Sequence, residues 1–443
     1  MIIPTTRLIL FAAVILPPFA ALAAMWPPAA MIAALLASGL AVVALLDALR
    51  APAVLRALRV EAPPFARLHK GREGSFELRF VRDAGGPRSL RVGCALPAAF
   101  DSREEVRDVR LPAGADVATV AWPCLPRERG LFHPEALVLE TTSPLGLWAW
   151  RERREIAMEL RVHPDLLAER QRVAALFLRR GMLGAHTQRR AGQGREFEKL
   201  RDYLPGDSLG DVHWKASAKR SHLVTKIHQI ERTHEVYVVI DASRLSARVV
   251  EADERVPALE RYVTAALILG AAAERQGDQF GLITFSDRVL TFLRARNGQG
   301  HFDTCRDKLY TLQPQPVTPD FDDLCAFLRT RLNKRALVIF LTALDDPFLA
   351  ESFVNATQLI ARQHLILVNM MRPPGVRPVF ENADVKRLDD LYRELGGHLQ
   401  WEKLRELERV LRRRGIRFSL LDPLMIAAQL VKQHAEVRQR ELV

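Results

Sequence analysis

The sequence predicts an α/β protein in three parts: an N-terminal transmembrane helical hairpin, a β-sandwich-like domain, and a C-terminal doubly wound, Rossmann-like domain. Three observations predict it. Two uncharged runs, residues 8–25 and 29–46, open the chain. Apolar and polar residues then alternate with period two in short segments between Leu58 and Val162, as half-buried strands do. From Val236 onward, continuous apolar runs alternate with amphipathic stretches, the order of a parallel sheet covered by helices. The boundaries that follow are 1–52 for the hairpin, 53–165 for the β domain, 166–234 for a basic connecting segment and 235–443 for the α/β domain.

Each uncharged run is about 18 residues, near the lower limit for spanning a hydrocarbon core of roughly 30 Å. Trp26, Pro27 and Pro28 separate the runs and suit a turn at a membrane interface. Pro17 and Pro18 interrupt the first, which membrane helices tolerate. Arg7 and the Ala21-Leu22-Ala23 triplet also resemble a cleaved signal peptide, but a second apolar run argues against that reading. Arg7 precedes the first span, and Arg50, Arg56 and Arg59 follow the second. Basic flanks face inward, so the expectation is an inner (cytoplasmic) membrane protein with two spans and its soluble domains in the cytoplasm.

The whole chain of 443 residues carries 64 Lys+Arg against 52 Asp+Glu, a net charge of +12, and is 49% apolar. That is ample material for packed cores and argues against disorder. Cys94, Cys124, Cys305 and Cys325 form no CxxC pair, which argues against a disulfide scaffold and a structural zinc site. Reduced cysteines fit a cytoplasmic location.

In the β domain, residues 75–81, 89–94, 106–111 and 116–122 alternate as strands, with turn-forming Gly and Pro residues between them. An antiparallel sandwich is expected, with no catalytic constellation. Two phrases stand out: Arg129-Gly130-Leu131-Phe132 and Ser143-Pro144-Leu145-Gly146-Leu147-Trp148.

The connecting segment is rich in arginine and holds a dense polar block: Arg201, Asp202 and Tyr203, then Pro205, Gly206, Asp207 and Ser208, then His213, Trp214 and Lys215. Closely alternating acid and base predict a salt-bridged loop packed on a domain, with Trp214 as a buried anchor. His213, His222, His228 and His234 have no zinc-site spacing. Nucleic-acid binding is not expected, because the arginines lack an aromatic platform or a reading motif and meet anionic lipid more simply.

In the α/β domain the first strand, residues 236–240, ends at Asp241-Ala242-Ser243. Ligands of doubly wound sheets sit at the carboxyl ends of strands. A carboxylate followed two residues later by a hydroxyl is an oxygen site for Mg²⁺, to which Thr318 would add another oxygen. A later buried strand, 336–341, leads into Thr342-Ala343-Leu344-Asp345-Asp346. The chain has no GxxxxGK loop and no GxSxG elbow, which argues against nucleotide hydrolysis and serine-hydrolase chemistry.

On these residues, above all the block from Gly194 to Ala218 together with Arg129-Gly130 and Pro144-Leu145-Gly146-Leu147, the chain resembles the bacterial membrane proteins carrying domain of unknown function 58. The resemblance implies a von Willebrand factor A-like C-terminal domain and a non-catalytic adaptor that works beside a MoxR-type AAA+ ATPase. It also implies a metal-ion-dependent adhesion site of pattern Asp-x-Ser-x-Ser, a distant Thr and a late Asp. Asp241, Ser243 and Thr318 match that pattern, whereas Leu245 replaces the second Ser and Ala343 stands at the late Asp, with Asp345 two residues on. A cation that needs about six oxygens loses two, so the expectation is a degenerate site holding Mg²⁺ weakly or not at all. In its absence Asp241 and Ser243 would hydrogen-bond backbone amides of the loops. The alternative function is a metal-dependent envelope hydrolase using Asp202, Asp207 and His213.

Overall fold

The structure is a computed structural model. It describes residues 1–83, 86–87, 89–101, 106–111, 116–179, 191–192, 196–204, 212–229, 234–249, 256–378 and 388–440. The chain divides into two compact units, Met1–Asp165 and Leu166–Val443.

The first unit begins with a short strand, β1 (Ile2–Pro4), which no periodicity in the sequence announces. Helices α1 (Thr6–Met25) and α2 (Pro27–Arg56) follow, joined at Trp26 and packed on each other. Helix α1 continues through Pro17 and Pro18. Among the described residues one helix, Ala30–Arg56, is long and apolar enough to cross a membrane, and Thr6–Pro18 is a shorter apolar stretch. Most of the apolar side chains described on both helices are exposed, including Leu35, Val42, Leu45 and Leu46.

The strands of this unit are β2 (Leu58–Glu61), β3 (Phe65–His69), β4 (Gly74–Arg82), β5 (Ser89–Ala95), β6 (Phe100–Asp101) and β7 (Val106–Arg110). They continue with β8 (Val117–Pro126), β9 (Gly130–Phe132), β10 (Ala136–Thr142), β11 (Trp148–Arg154) and β12 (Glu159–His163). Sheets β1-β11-β10-β5-β7 and β2-β4-β8-β6 supply the inward residues of one core, including Phe76, Leu78, Phe80, Leu90, Val92, Trp122 and Leu139. Strand β4 reads alternately buried and exposed, as its period-two sequence requires. A third sheet, β3-β12-β9, departs from the antiparallel expectation, because β12 pairs with β3 in parallel. Strand β1 pairs with β11. Arg154 donates to the carbonyls of Leu55 (2.7 Å) and Leu58 (2.5 Å), capping the end of α2 with a cation, where helix-end carbonyls favour one.

The second unit starts with α3 (Leu167–Arg179), then β13 (Ala191–Gly192), β14 (Glu196–Asp202), α4 (Trp214–Arg220) and β15 (Val224–Gln229). The segment expected to be a salt-bridged loop is thus an antiparallel sheet of order β13-β15-β14 with a short helix in its connection. A charge count along the chain does not distinguish such a sheet from a loop.

The α/β elements are β16 (Glu235–Asp241), α5 (Ala258–Arg275), β17 (Gln279–Phe285), β18 (Val289–Arg296), α6 (Gln299–Leu309), α7 (Phe321–Arg331) and β19 (Leu337–Leu341). They end with α8 (Pro347–Ala356), α9 (Gln358–Ala361), β20 (Leu365–Met371), α10 (Leu388–Arg413), β21 (Arg417–Leu421) and α11 (Ile426–Gln439). Helices α8 and α9 are separated at Thr357, whose buried hydroxyl donates back to the carbonyl of Phe353 at 2.7 Å.

The sheet order is β18-β17-β16-β19-β20-β21, parallel except for edge strand β18. Alternate residues of each strand feed two cores: Val236, Val238 and Ile240 pack with α5 and α11, whereas Tyr237 and Val239 pack with α7 and α8. Gly281 lies under the Tyr237 ring, where a Cβ would approach ring carbons to 2.4 Å. The first strand of the domain has β17 on one side and β19 on the other, so the winding reverses between β16 and β19. In doubly wound sheets such a reversal, at the carboxyl ends of the strands, is where ligands bind.

Candidate functional site

Asp241 closes β16 and is fully buried, as is Ser243. One oxygen of Asp241, Oδ1, accepts the Ser243 amide at 2.8 Å. The other, Oδ2, accepts the Thr342 hydroxyl at 2.6 Å, across the reversal point and just beyond β19. Burial pushes the Asp241 carboxyl above the ordinary carboxylate range, and the Thr342 and Ser243 hydrogen bonds counter part of that shift. Tyr262 of α5 donates to the Thr342 carbonyl at 3.2 Å. Burial, with the nearby Asp241 carboxylate next in effect, raises its phenol above the usual range.

Ser243 caps a short 3₁₀ turn, Arg244–Ala247, by accepting the Leu245 amide at 3.3 Å. The Ser246 hydroxyl, not recognised from sequence, donates to the Ser243 carbonyl at 2.8 Å. Arg244 donates to the Thr318 hydroxyl at 3.3 Å, and its amide donates to the Val317 carbonyl at 2.9 Å. Asp345 accepts Arg248 at 2.6 Å through Oδ2, while its Oδ1 is buried without a partner among the described residues. Three bonds therefore tie the turn after β16 to its surroundings, two to the Thr318 loop and one to the loop after β19.

The four residues proposed as metal ligands thus gather at one sheet edge, each with a protein partner already in place. Asp241 takes a hydroxyl and an amide, Ser243 an amide, Thr318 a guanidinium and Asp345 a guanidinium. Two guanidinium groups beside the oxygens would repel a dication. As arranged here, the residues do not fit a bound Mg²⁺ ion. Among the described residues no three His, Cys, Asp or Glu side chains converge as a metal site.

Sequence reasoning missed Thr342, Arg244 and Arg248. Thr342 carried one usable signal: it shares the period-two parity of Val338 and Phe340, and so the face on which Asp241 follows Val239. Close to Asp345 the chain exposes Phe348, with 83% of its surface accessible, in the first turn of α8.

The polar block has a different geometry. Arg201 pairs with Thr225, and Asp202 with Val224, in the β14–β15 ladder. Asp202 also meets His222 at 2.9 Å. The Tyr203 amide donates to the Leu223 carbonyl at 2.9 Å. His213 caps α4 by accepting the Ala216 amide at Nδ1, 3.1 Å away. Ser217 is buried, accepts the Val224 amide at 2.9 Å and ties α4 to β15. Trp214 is not the buried anchor expected: it is 64% exposed, and Ser217 is the buried residue that holds α4 to β15. Lys215 is exposed beside it. Pro205, Gly206 and Asp207 lie outside the described residues.

Residues 199–376 match the family described as Protein of unknown function DUF58, a match that opens inside the polar block and covers less than half of the chain. Among solved structures, the chain is similar to the SpRpn10 VWA domain at 12% identity, covering 45% of this chain and 95% of that one, with a TM-score of 0.28. It is similar to the conserved hypothetical protein BatB from Bacteroides thetaiotaomicron at 17% identity, covering 46% and 99%, with a TM-score of 0.28. Proximal thread matrix protein 1 from the mussel byssus, with a zinc-occupied MIDAS motif, is similar at 18% identity over 31% and 36%, with a TM-score of 0.22. No curated protein matches the chain significantly.

Proposed function

We propose that this chain is a membrane-anchored, non-catalytic interaction protein. The hairpin holds it in the inner membrane with both soluble units in the cytoplasm. Its α/β unit binds a partner protein at the carboxyl edge of the sheet, and a MoxR-type AAA+ ATPase is the partner of choice. The observation that carries the reading is the edge cluster itself. Arg244 and Arg248 are exposed and fixed on Thr318 and Asp345, and the exposed Phe348 stands three residues beyond Asp345. Aromatic and arginine side chains held in place are the usual anchors of protein interfaces. Because Asp241, Ser243, Thr318 and Asp345 each already engage a protein partner, binding in this reading does not require Mg²⁺.

The test is co-purification of the full chain from detergent with the candidate ATPase. Wild-type protein should retain the ATPase in the presence of EDTA. Phe348→Ala and Arg248→Glu should each weaken retention at least tenfold. Equal retention by both variants would move the interface off this edge, and no retention under any nucleotide condition would remove the ATPase as partner.

A further inference from the structure

Ser143–Trp148, distinctive in sequence and without a role in the edge cluster, forms the connection between β10 and β11 and grips both halves of the hairpin. From the start of α1, the Thr5 amide donates to the Leu147 carbonyl at 3.0 Å, and its hydroxyl donates to the Gly146 carbonyl at 2.7 Å. From α2, Asp47 accepts the Ser143 hydroxyl (2.5 Å) and the Leu147 amide (3.3 Å) at Oδ2, and the Leu145 amide (3.0 Å) at Oδ1. Trp148 Nε1 donates to the Ala44 carbonyl at 2.7 Å. Asp47 is only 2% exposed, although Leu45, Leu46 and Leu49 around it are all exposed. Gly146 has φ +73°, a left-handed backbone conformation that favours glycine at this turn.

This grip fixes a height. Helix α1 has 20 residues, so it rises about 30 Å, the thickness of a hydrocarbon core. The loop clasps the end of that span, where Arg7, Asp47 and Arg50 mark the first charges beyond the uncharged runs. The loop turns Pro144 and Leu145 outward, Leu145 being 56% exposed. Arg7 and Arg50 are exposed, with no carboxylate in ion-pair range among the described residues.

We infer that the Ser143–Trp148 loop lies at the headgroup level of the bilayer and seats the β unit on an anionic lipid surface, with Leu145 in the interface and Arg7 and Arg50 facing lipid phosphates. The inference rests on the membrane reading above. It goes beyond an anchor, because a unit seated on the surface has a fixed orientation and an unseated one does not. The negative potential of an anionic surface attracts basic side chains near it, and an apolar side chain in the interface adds to that attraction.

The experiment places a fluorophore on Leu145→Cys in the full chain, reconstituted in vesicles of phosphatidylcholine and phosphatidylglycerol. Leu131→Cys, on an exposed residue of β9 in the same unit, is the control. The native thiols are buried, so labelling is confined to the introduced cysteine. The probe at 145 should emit at shorter wavelength than at 131. Headgroup-proximal spin-labelled lipids should quench it at least threefold more strongly. Adding Asp47→Ala should release the loop and bring the 145 signal toward that of 131. If the chain resists alkaline extraction from the vesicles but the two probes report the same aqueous environment, the seating is overturned and the anchor stands. If alkaline treatment extracts the chain, the membrane reading fails and the seating fails with it.

Discussion

The Thr342 hydroxyl donates to Asp241 Oδ2 at 2.6 Å, joining the loop after β19 to the end of β16 across the point where the sheet reverses its winding. Both residues are fully buried. Removing the donor leaves a buried carboxylate oxygen without its partner, which costs about 1–3 kcal/mol. Thr342→Val should therefore lower stability by roughly that amount in urea unfolding followed by fluorescence, whereas Thr342→Ser should stay within about 1 kcal/mol of wild type, having kept the donor.

Asp241 also predicts a pH dependence. Burial raises its pKa in the folded chain, so the fold keeps a proton over a range where the unfolded chain, titrating near about 3.9, has lost it. The contribution of Asp241 to stability is then fully present below that value and declines as pH rises through the folded pKa. The stability difference between wild type and Asp241→Asn, measured by denaturant midpoints from pH 4 to pH 7, should move against wild type as pH rises. A tightly bound cation on Asp241 would reverse that trend.

His364 predicts the opposite slope. It enters β20 buried, with neither ring nitrogen partnered among the described residues, and desolvation lowers its pKa. The unfolded chain takes up a proton near pH 6.5 that the fold resists, so the contribution of His364 is present above that pH and is lost as pH falls below it. His364→Phe should flatten the fall in stability between pH 7.5 and pH 5.5.

The four cysteines should be inert in the native chain. Burial raises Cys94, Cys305 and Cys325 to about 12 and Cys124 to about 11. The thiolate is the reactive form, so iodoacetamide at pH 8 should leave native protein unmodified and label all four sites only after denaturation. Labelling of the native chain at any of the four would show that its core opens locally.

Much of the fold was legible because its signals are local. Residues 29–46 carry no charge and form most of α2, and the alternation at 75–81 became β4. The position of Asp241 and Ser243 at the end of the first α/β strand followed from the apolar run before them. Trp214 was misread because a large aromatic in a polar block has no periodic neighbours to report its face. The 3₁₀ turn brings Arg248 to Asp345, and no pattern within either segment announces it.

What the sequence by itself determined was therefore the kind and order of elements: an apolar N-terminal helix, alternating strands, and apolar runs punctuated by amphipathic helices. What only the tertiary structure decided was who meets whom. Thr342 reaches Asp241 across 101 residues, Arg248 reaches Asp345 across 97, and Ser143 reaches Asp47 across 96. Periodicity reports the buried face of one element because helix and strand geometry repeat along the chain. It carries no record of which strand lies beside which, so every partner of a buried carboxylate waits on the sheet order and on the packing that encloses it.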